Sequence, residues 1–239
     1  DDVSGLIQRR MFDLFAEVIQ KPAFAQDKLD FAKRQAAGQI ARRNDDPNGI
    51  AGREFQKLIY GDSSPYARTV EYSTLDKINR DDLIGFYGQY FHPENIILGI
   101  NGDFESDKMR SLIEEKFGKW SPQSQPPNVV VPTASQAKSG GVFFINQPQL
   151  TQSYVQMGHL GGLLNSPDYA SLDVLNQVMN GFGGRLFNEV RSRQGLAYSV
   201  YSFWSPNFDY PGTFVAGGQT RSDATVPFIK SVRAGIDLL

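Results

Sequence analysis

The chain has 239 residues, with 24 Lys and Arg against 26 Asp and Glu for a formal charge of −2, and 40% of it is hydrophobic. That balance argues against a nucleic-acid or membrane-surface protein, and no apolar run approaches the length of a membrane span. The absence of cysteine excludes disulfides, thiolate metal sites and a cysteine nucleophile, and the length suits one large domain or two ordinary ones.

Residues 2–20 have the pattern of an amphipathic helix, with Leu6, Ile7, Met11, Leu14, Phe15, Val18 and Ile19 on one broad face. Lys21-Pro22-Ala23-Phe24 breaks it, and 27–43 reads as a second, more polar helix turning Leu29, Ala32, Ala36 and Ile40 inward. Asn44-Asp45-Asp46-Pro47-Asn48 is a turn rich in helix-start signals, and a third helix follows to about Tyr60. Gly61 to Tyr66 is a loop. Asn79, with Asp82 three residues on, predicts a capping box for a helix over 80–91. The continuous apolar run Ile96 to Ile100 predicts a buried strand, and Ser106 to Phe117 another amphipathic helix.

Residues 121–140 have linker composition, with a Pro, Ser and Gln tract from Ser121 to Asn128, and Val129-Val130-Val131 could form an edge strand. Beyond it, 142–146 and 153–159 read as consecutive strands and 167–180 as a helix. A strand over 213–218 and a last helix over 223–239 complete the chain. The sum is α+β, antiparallel in tendency, with helices covering one sheet face. The expected division is 1–120, a 121–140 linker, and 141–239. Asp1 falls mid-element and Leu239 mid-helix, so both ends are expected to be cuts in a longer chain.

The most informative stretch runs from Gly181 to Ser202. Glycines open it, Leu186, Phe187 and Val190 recur at helical spacing, and Gly195 stands where a C-cap glycine belongs. Leu196 to Tyr201 then alternates as a strand, so Arg191 on the helix and Tyr198 on the strand can converge across the corner. Taken alone, the pair reads more simply as a helix-end arginine and an interfacial tyrosine.

The whole string Gly183-Gly184-Arg185-Leu186-Phe187-Asn188-Glu189-Val190-Arg191, then Gly195-Leu196-Ala197-Tyr198-Ser199-Val200-Tyr201, resembles the second domain of the insulinase-like (pitrilysin, mitochondrial processing peptidase) inverted-zinc-motif metallopeptidases. Asp45-Asp46-Pro47, Ser64-Pro65-Tyr66, Phe91-His92-Pro93-Glu94-Asn95 and Phe117-Gly118-Lys119-Trp120 resemble landmarks of the same family. The resemblance implies two similar α/β sandwich domains, their antiparallel or mixed sheets covered by helices. It also implies that Arg191 and Tyr198 hold a substrate peptide and stabilise the oxyanion at its scissile carbonyl.

The family draws two zinc-ligating histidines and the base glutamate from His-x-x-Glu-His, which does not occur in this chain. By the same resemblance its third ligand, a Glu on a later helix, corresponds here to Gln39, and an uncharged amide is a poor zinc ligand. The only histidines, His92 and His159, read as structural. Asp45-Asp46 and Glu114-Glu115 are neighbours whose side chains diverge, and no serine has a histidine base near it in sequence.

These readings predict a chain that binds no zinc itself, with zinc expected on a partner. The expected role is a non-catalytic subunit of a two-part zinc peptidase, inactive alone, that contributes substrate binding and oxyanion stabilisation. Its expected partners are a homologous zinc-bearing subunit, or a second copy, and an unfolded or short peptide. The alternatives are a purely structural or peptide-binding homologue, and a fragment of an active single-chain zinc peptidase. Periplasm and cytoplasm are both compatible.

Overall fold

The computed structural model describes residues 3–121, 127–137 and 140–238, so the predicted linker lies partly outside the described residues. The order is α1 (Val3–Gln20), α2 (Gln26–Arg42), α3 (Pro47–Tyr60), α4 (Tyr72–Lys77), α5 (Arg80–Tyr90) and α6 (Ser106–Phe117). Then follow β1 (Gln152–Leu160), α7 (Tyr169–Met179), a π-helical turn (Phe187–Arg193), β2 (Ala197–Ser205), β3 (Thr213–Arg221) and α8 (Thr225–Asp237). Packing divides the chain into two units, Asp1–Ile40 with Val70–Val129, and Ala41–Thr69 with Val130–Leu239.

In the first unit α1 lies against α6. Phe12 meets Phe117 edge-on at 5.8 Å, and the Lys116 ammonium reaches the Asp13 carboxylate at 2.7 Å. The Tyr87 hydroxyl on α5 donates to the Ile19 carbonyl at 2.7 Å. The capping box forms as the sequence predicts: Asn79 Oδ1 accepts from the Asp81 and Asp82 amides at 2.8 and 3.1 Å, and Asp82 accepts from the Asn79 amide at 2.8 Å. The buried strand expected over 96–100 does not form. Ile96 has an extended backbone, yet the segment joins no ladder and Ile97 is 99% exposed. Apolarity can nominate a strand, but another segment must supply its hydrogen bonds.

The second unit is built on a three-stranded antiparallel sheet of order β1-β3-β2, with Met157 and Ser202 both opposite Ala216. Asp46 caps α3, accepting from the Asn48 and Gly49 amides at 3.0 Å each, and Pro47 occupies the first turn, where its missing N–H costs nothing. Along β3, Phe214 and Ala216 join a cluster with Met179, Leu186, Val190, Phe228 and Val232, while Val215 joins Phe55, Ile59 and Tyr60. That alternation is the mark of a sheet covered on both faces. The strands expected over 129–131 and 142–146 are absent: neither segment enters the sheet, and Val142 is 94% exposed.

Tyr60 donates its hydroxyl to the Pro211 carbonyl at 2.8 Å, beside the stacked rings of Tyr66 and Tyr210. Burial, with Tyr210 and Tyr66 adding to it, pushes the Tyr60 phenol up to about 12. A folded-state value above the unfolded one of about 10 gives stability that is complete below pH 10 and lost as pH rises toward 12. Urea midpoints measured from pH 9 to 12 should therefore fall in wild type, and fall less steeply in Tyr60→Phe.

Candidate functional site

The site is assembled from the C-terminal end of α7 onward. Gly184 donates its amide to the Gly181 carbonyl at 3.1 Å, closing a turn after Asn180. A Cβ on Gly184 would lie 2.0 Å from the Asn180 carbonyl oxygen, so the turn admits only glycine there. Leu186 and Val190, both fully buried, anchor the next segment to the core. Its backbone is wound wider than the expected α-helix: the Gln194 amide reaches back five residues to the Glu189 carbonyl at 3.2 Å. Such π turns are frequent at functional sites.

Gly195, with φ of 62°, ends the turn as the sequence predicts, its amide donating to the Arg191 carbonyl at 3.0 Å. The chain then enters β2 through a bulge. Ala197 lies opposite Thr220 and Ser199 opposite Gln219, which leaves Tyr198 as the extra residue. A bulge bends its strand and re-aims a side chain, and Tyr198 is 74% exposed.

The corner does bring the two predicted residues together. The Arg191 guanidinium carbon lies 5.5 Å from the Tyr198 ring centroid and 4.8 Å from that of Phe187, one turn earlier. Phe187 is in turn met edge-on by Phe182 at 5.2 Å. The neighbouring arginines are engaged elsewhere, Arg193 with the Glu189 carboxylate and Arg185 with the Leu238 carbonyl at 3.3 Å. No described residue accepts a hydrogen bond from the Arg191 guanidinium or pairs with the Tyr198 hydroxyl. Two aromatic rings thus hold a cation whose donors are unspent, beside a phenol whose hydroxyl is also unspent. Such a pair can bind a carbonyl or carboxylate oxygen.

Sequence reasoning missed Phe187, which supports the arginine, and two asparagines on the other side of β2. Asn176 donates to the Trp204 carbonyl at 2.9 Å and accepts from the Trp204 amide at 2.8 Å. Asn180 accepts from the Ser202 amide at 2.9 Å and donates to the Ser202 carbonyl. The signal was an Asn pair four apart at a helix end, ahead of a strand with alternating residues.

Gln39 lies exposed on α2. Among the described residues no group of three or more His, Cys, Asp or Glu could hold a metal ion. His92 is buried, its Nε2 donating to the Gln89 carbonyl at 2.8 Å, and His159 stacks on Phe214 at 5.3 Å. Zinc needs three protein ligands and an open water position, and these residues do not fit that requirement. Metal analysis of the purified, unsupplemented protein should return well under one zinc per chain; about one tightly held zinc would overturn that expectation. Among the described residues no helix is long and apolar enough to cross a membrane.

The family profile described as the peptidase M16 inactive domain matches residues 77–239. The chain is 28% identical over 197 residues to an uncharacterised zinc protease of Mycobacterium leprae, covering 80% of this chain and 43% of that one. It is 27% identical over 210 residues to the uncharacterised zinc protease YmxG of Bacillus subtilis, covering 86% and 49%. Among solved structures, a peptidase M16 inactive domain from Pseudomonas fluorescens superposes with a TM-score of 0.80 at 28% identity, over 94% of this chain and 55% of that one. A Helicobacter pylori protease shares the fold with a TM-score of 0.78 at 20% identity, over 93% and 55%. The chain therefore spans about half the length of these relatives.

Proposed function

Because this chain belongs to the peptidase M16 inactive-domain family, we propose that it is a zinc-less partner in a two-part zinc peptidase, binding a peptide for a zinc-bearing homologue to hydrolyse. The observation that carries this reading is the Arg191 guanidinium, placed over the Tyr198 and Phe187 rings with no acceptor among the described residues. Arginine over an aromatic ring is common in proteins; this one is set apart by donors that find no acceptor among the described residues, beside a tyrosine carried on a bulge. Set beside a polarised carbonyl, the guanidinium and the phenol would donate to its oxygen as charge develops there. The lack of a ligand set among the described residues, together with the zinc protease relatives, supports a division in which the metal belongs to another subunit.

The partner in this reading is a homologous zinc-bearing chain, and the substrate an unfolded or short peptide. The test is reconstitution. The full-length protein is mixed with a zinc-bearing homologue from the same organism and assayed on an unstructured fluorogenic peptide. Hydrolysis by the mixture and by neither protein alone is the expected result. Hydrolysis by the homologue alone, unchanged on adding this chain, would assign this chain a structural or binding role only.

A further inference from the structure

Asparagine followed by glycine occurs three times in the chain, at Asn48-Gly49, Asn101-Gly102 and Asn180-Gly181. The pair is chemically labile, because a glycine without a Cβ lets its own amide nitrogen approach the preceding side-chain carbonyl. In sequence the three are equivalent; in the fold they are not. Asn48 and Gly49 lie in the first turn of α3, where the Asp46 carboxylate accepts from both of their amides at 3.0 Å. A capped helical turn that holds the Gly49 N–H on a carboxylate keeps that nitrogen from attacking. Asn180 is held through its side chain: Oδ1 accepts from the Ser202 amide at 2.9 Å, and Nδ2 donates to the Asn176 carbonyl at 2.7 Å. Its Cγ cannot swing toward Gly181 until those bonds break. Asn101 has neither restraint. It and Gly102 are exposed in a bend between the unladdered 96–100 run and α6, and among the described residues nothing hydrogen-bonds the Asn101 side chain or the Gly102 N–H. Gly102 has a φ of 156°, a conformation that favours glycine, so the bend itself retains the residue that makes the pair labile.

We propose that Asn101 is a site of spontaneous backbone modification, converted with water as the only co-reactant to aspartate and isoaspartate, while the fold protects Asn48 and Asn180. The Gly102 nitrogen gives up its proton to solvent base and attacks Asn101 Cγ. A C–N bond forms, the Cγ–Nδ2 bond breaks, and ammonia leaves with a proton taken back from solvent. The product is a five-membered succinimide. Water then adds to one of its two carbonyls, and the C–N bond at that carbonyl breaks. Opening at the side-chain carbonyl gives aspartate. Opening at the main-chain carbonyl gives isoaspartate, in which the main chain runs through the side-chain methylene. Either product adds one negative charge to a chain whose formal charge is −2, close to Asp103 in the same bend. The isoaspartyl form also lengthens the backbone by a methylene shortly before α6. The modified fraction then rises with the time since synthesis.

The experiment incubates the folded full-length protein in mildly alkaline buffer, in parallel with the same protein held unfolded in guanidinium. Samples are digested at mildly acidic pH, where succinimide formation is slow. The three Asn-Gly peptides are followed by mass spectrometry, with isoaspartate scored by enzymatic methylation. In the unfolded sample all three should convert at similar rates. In the folded sample Asn101 should keep close to its unfolded rate. Asn48 and Asn180 should convert at least about tenfold more slowly than Asn101, since a local opening that breaks their hydrogen bonds must come first. Asp46→Ala removes the acceptor that holds Gly49 and should speed conversion of Asn48 several-fold, with Asn101 unchanged. If that variant fails to fold, the wild-type comparison decides. Asn101→Gln, which could cyclise only through a larger ring, should remove most of the isoaspartate from the folded sample. Equal rates at all three positions in the folded protein overturn the proposal. So does an Asn101 that stays an amide in the folded protein while it converts in the unfolded one.

Discussion

Arg191→Ala should lower peptide hydrolysis by the reconstituted pair on the order of 100-fold, the usual cost of losing one preorganised oxyanion donor. The same change should hardly disturb folding. The guanidinium stacks on Phe187 and Tyr198 at the surface, a contact worth about 1 kcal/mol. That corresponds to a Tm loss of roughly 2–4 °C in a chain of this size. Tyr198→Phe is the cleaner probe, since it keeps the ring under the cation and removes only the unpaired hydroxyl. Because both donors would serve one developing charge, the double variant should cost less than the product of the singles. Two single variants that melt early, with the folded fraction fully active, would make the pair structural.

Gly184→Ala should be among the most damaging single-methyl changes in the second unit. Its Cβ would fall 2.0 Å from the Asn180 carbonyl oxygen and 2.4 Å from the carbonyl carbon, backbone atoms that cannot swing aside as a side chain can. Relief requires moving Asn180, whose amide group holds Ser202 of β2. The local clash thus spreads to the edge strand and to the turn that carries Arg191. A loss of about 3 kcal/mol or more is expected, within the range of overpacking and strained-turn substitutions. Chemical denaturation with an unchanged m-value and a lower midpoint would show it. Gly183→Ala, where a Cβ meets nothing within 4 Å, is the control and should be nearly silent.

Much of this architecture is legible from local chemistry. The Asn79–Asp82 box, the Asp46-Pro47 start and Gly195 each satisfy backbone groups within a few residues, so the sequence alone carries the information. The meeting of Arg191 and Tyr198 follows from a helix, a left-handed glycine and a strand in close succession. What could not be read depends on distant partners or on small departures from ideal geometry. The π turn adds one residue to a hydrogen-bonded ring, a change that the spacing of Leu186 and Val190 does not reveal. The bulge at Tyr198 is a property of two strands in register. Asn176 and Asn180 look like ordinary polar helix residues until β2 is laid beside them. At 96–100 and 142–146 the failure is of the opposite kind: a strong apolar pattern with no ladder to join.

The unladdered run Val142-Phe143-Phe144-Ile145-Asn146 bears on how a cell would handle this protein. It is uncharged, lacks proline and is rich in β-forming residues, the composition that seeds intermolecular sheets when left uncovered. Val142 and Phe144 stand 94% and 85% exposed. To chaperones and quality-control proteases such a run looks the same as a misfolding lesion. A copy in which other polypeptide shields the run would escape that surveillance, and a copy left bare would be removed or would aggregate. Where those five residues stay uncovered, surveillance and aggregation would lower the amount of the protein beyond what its own folding free energy dictates.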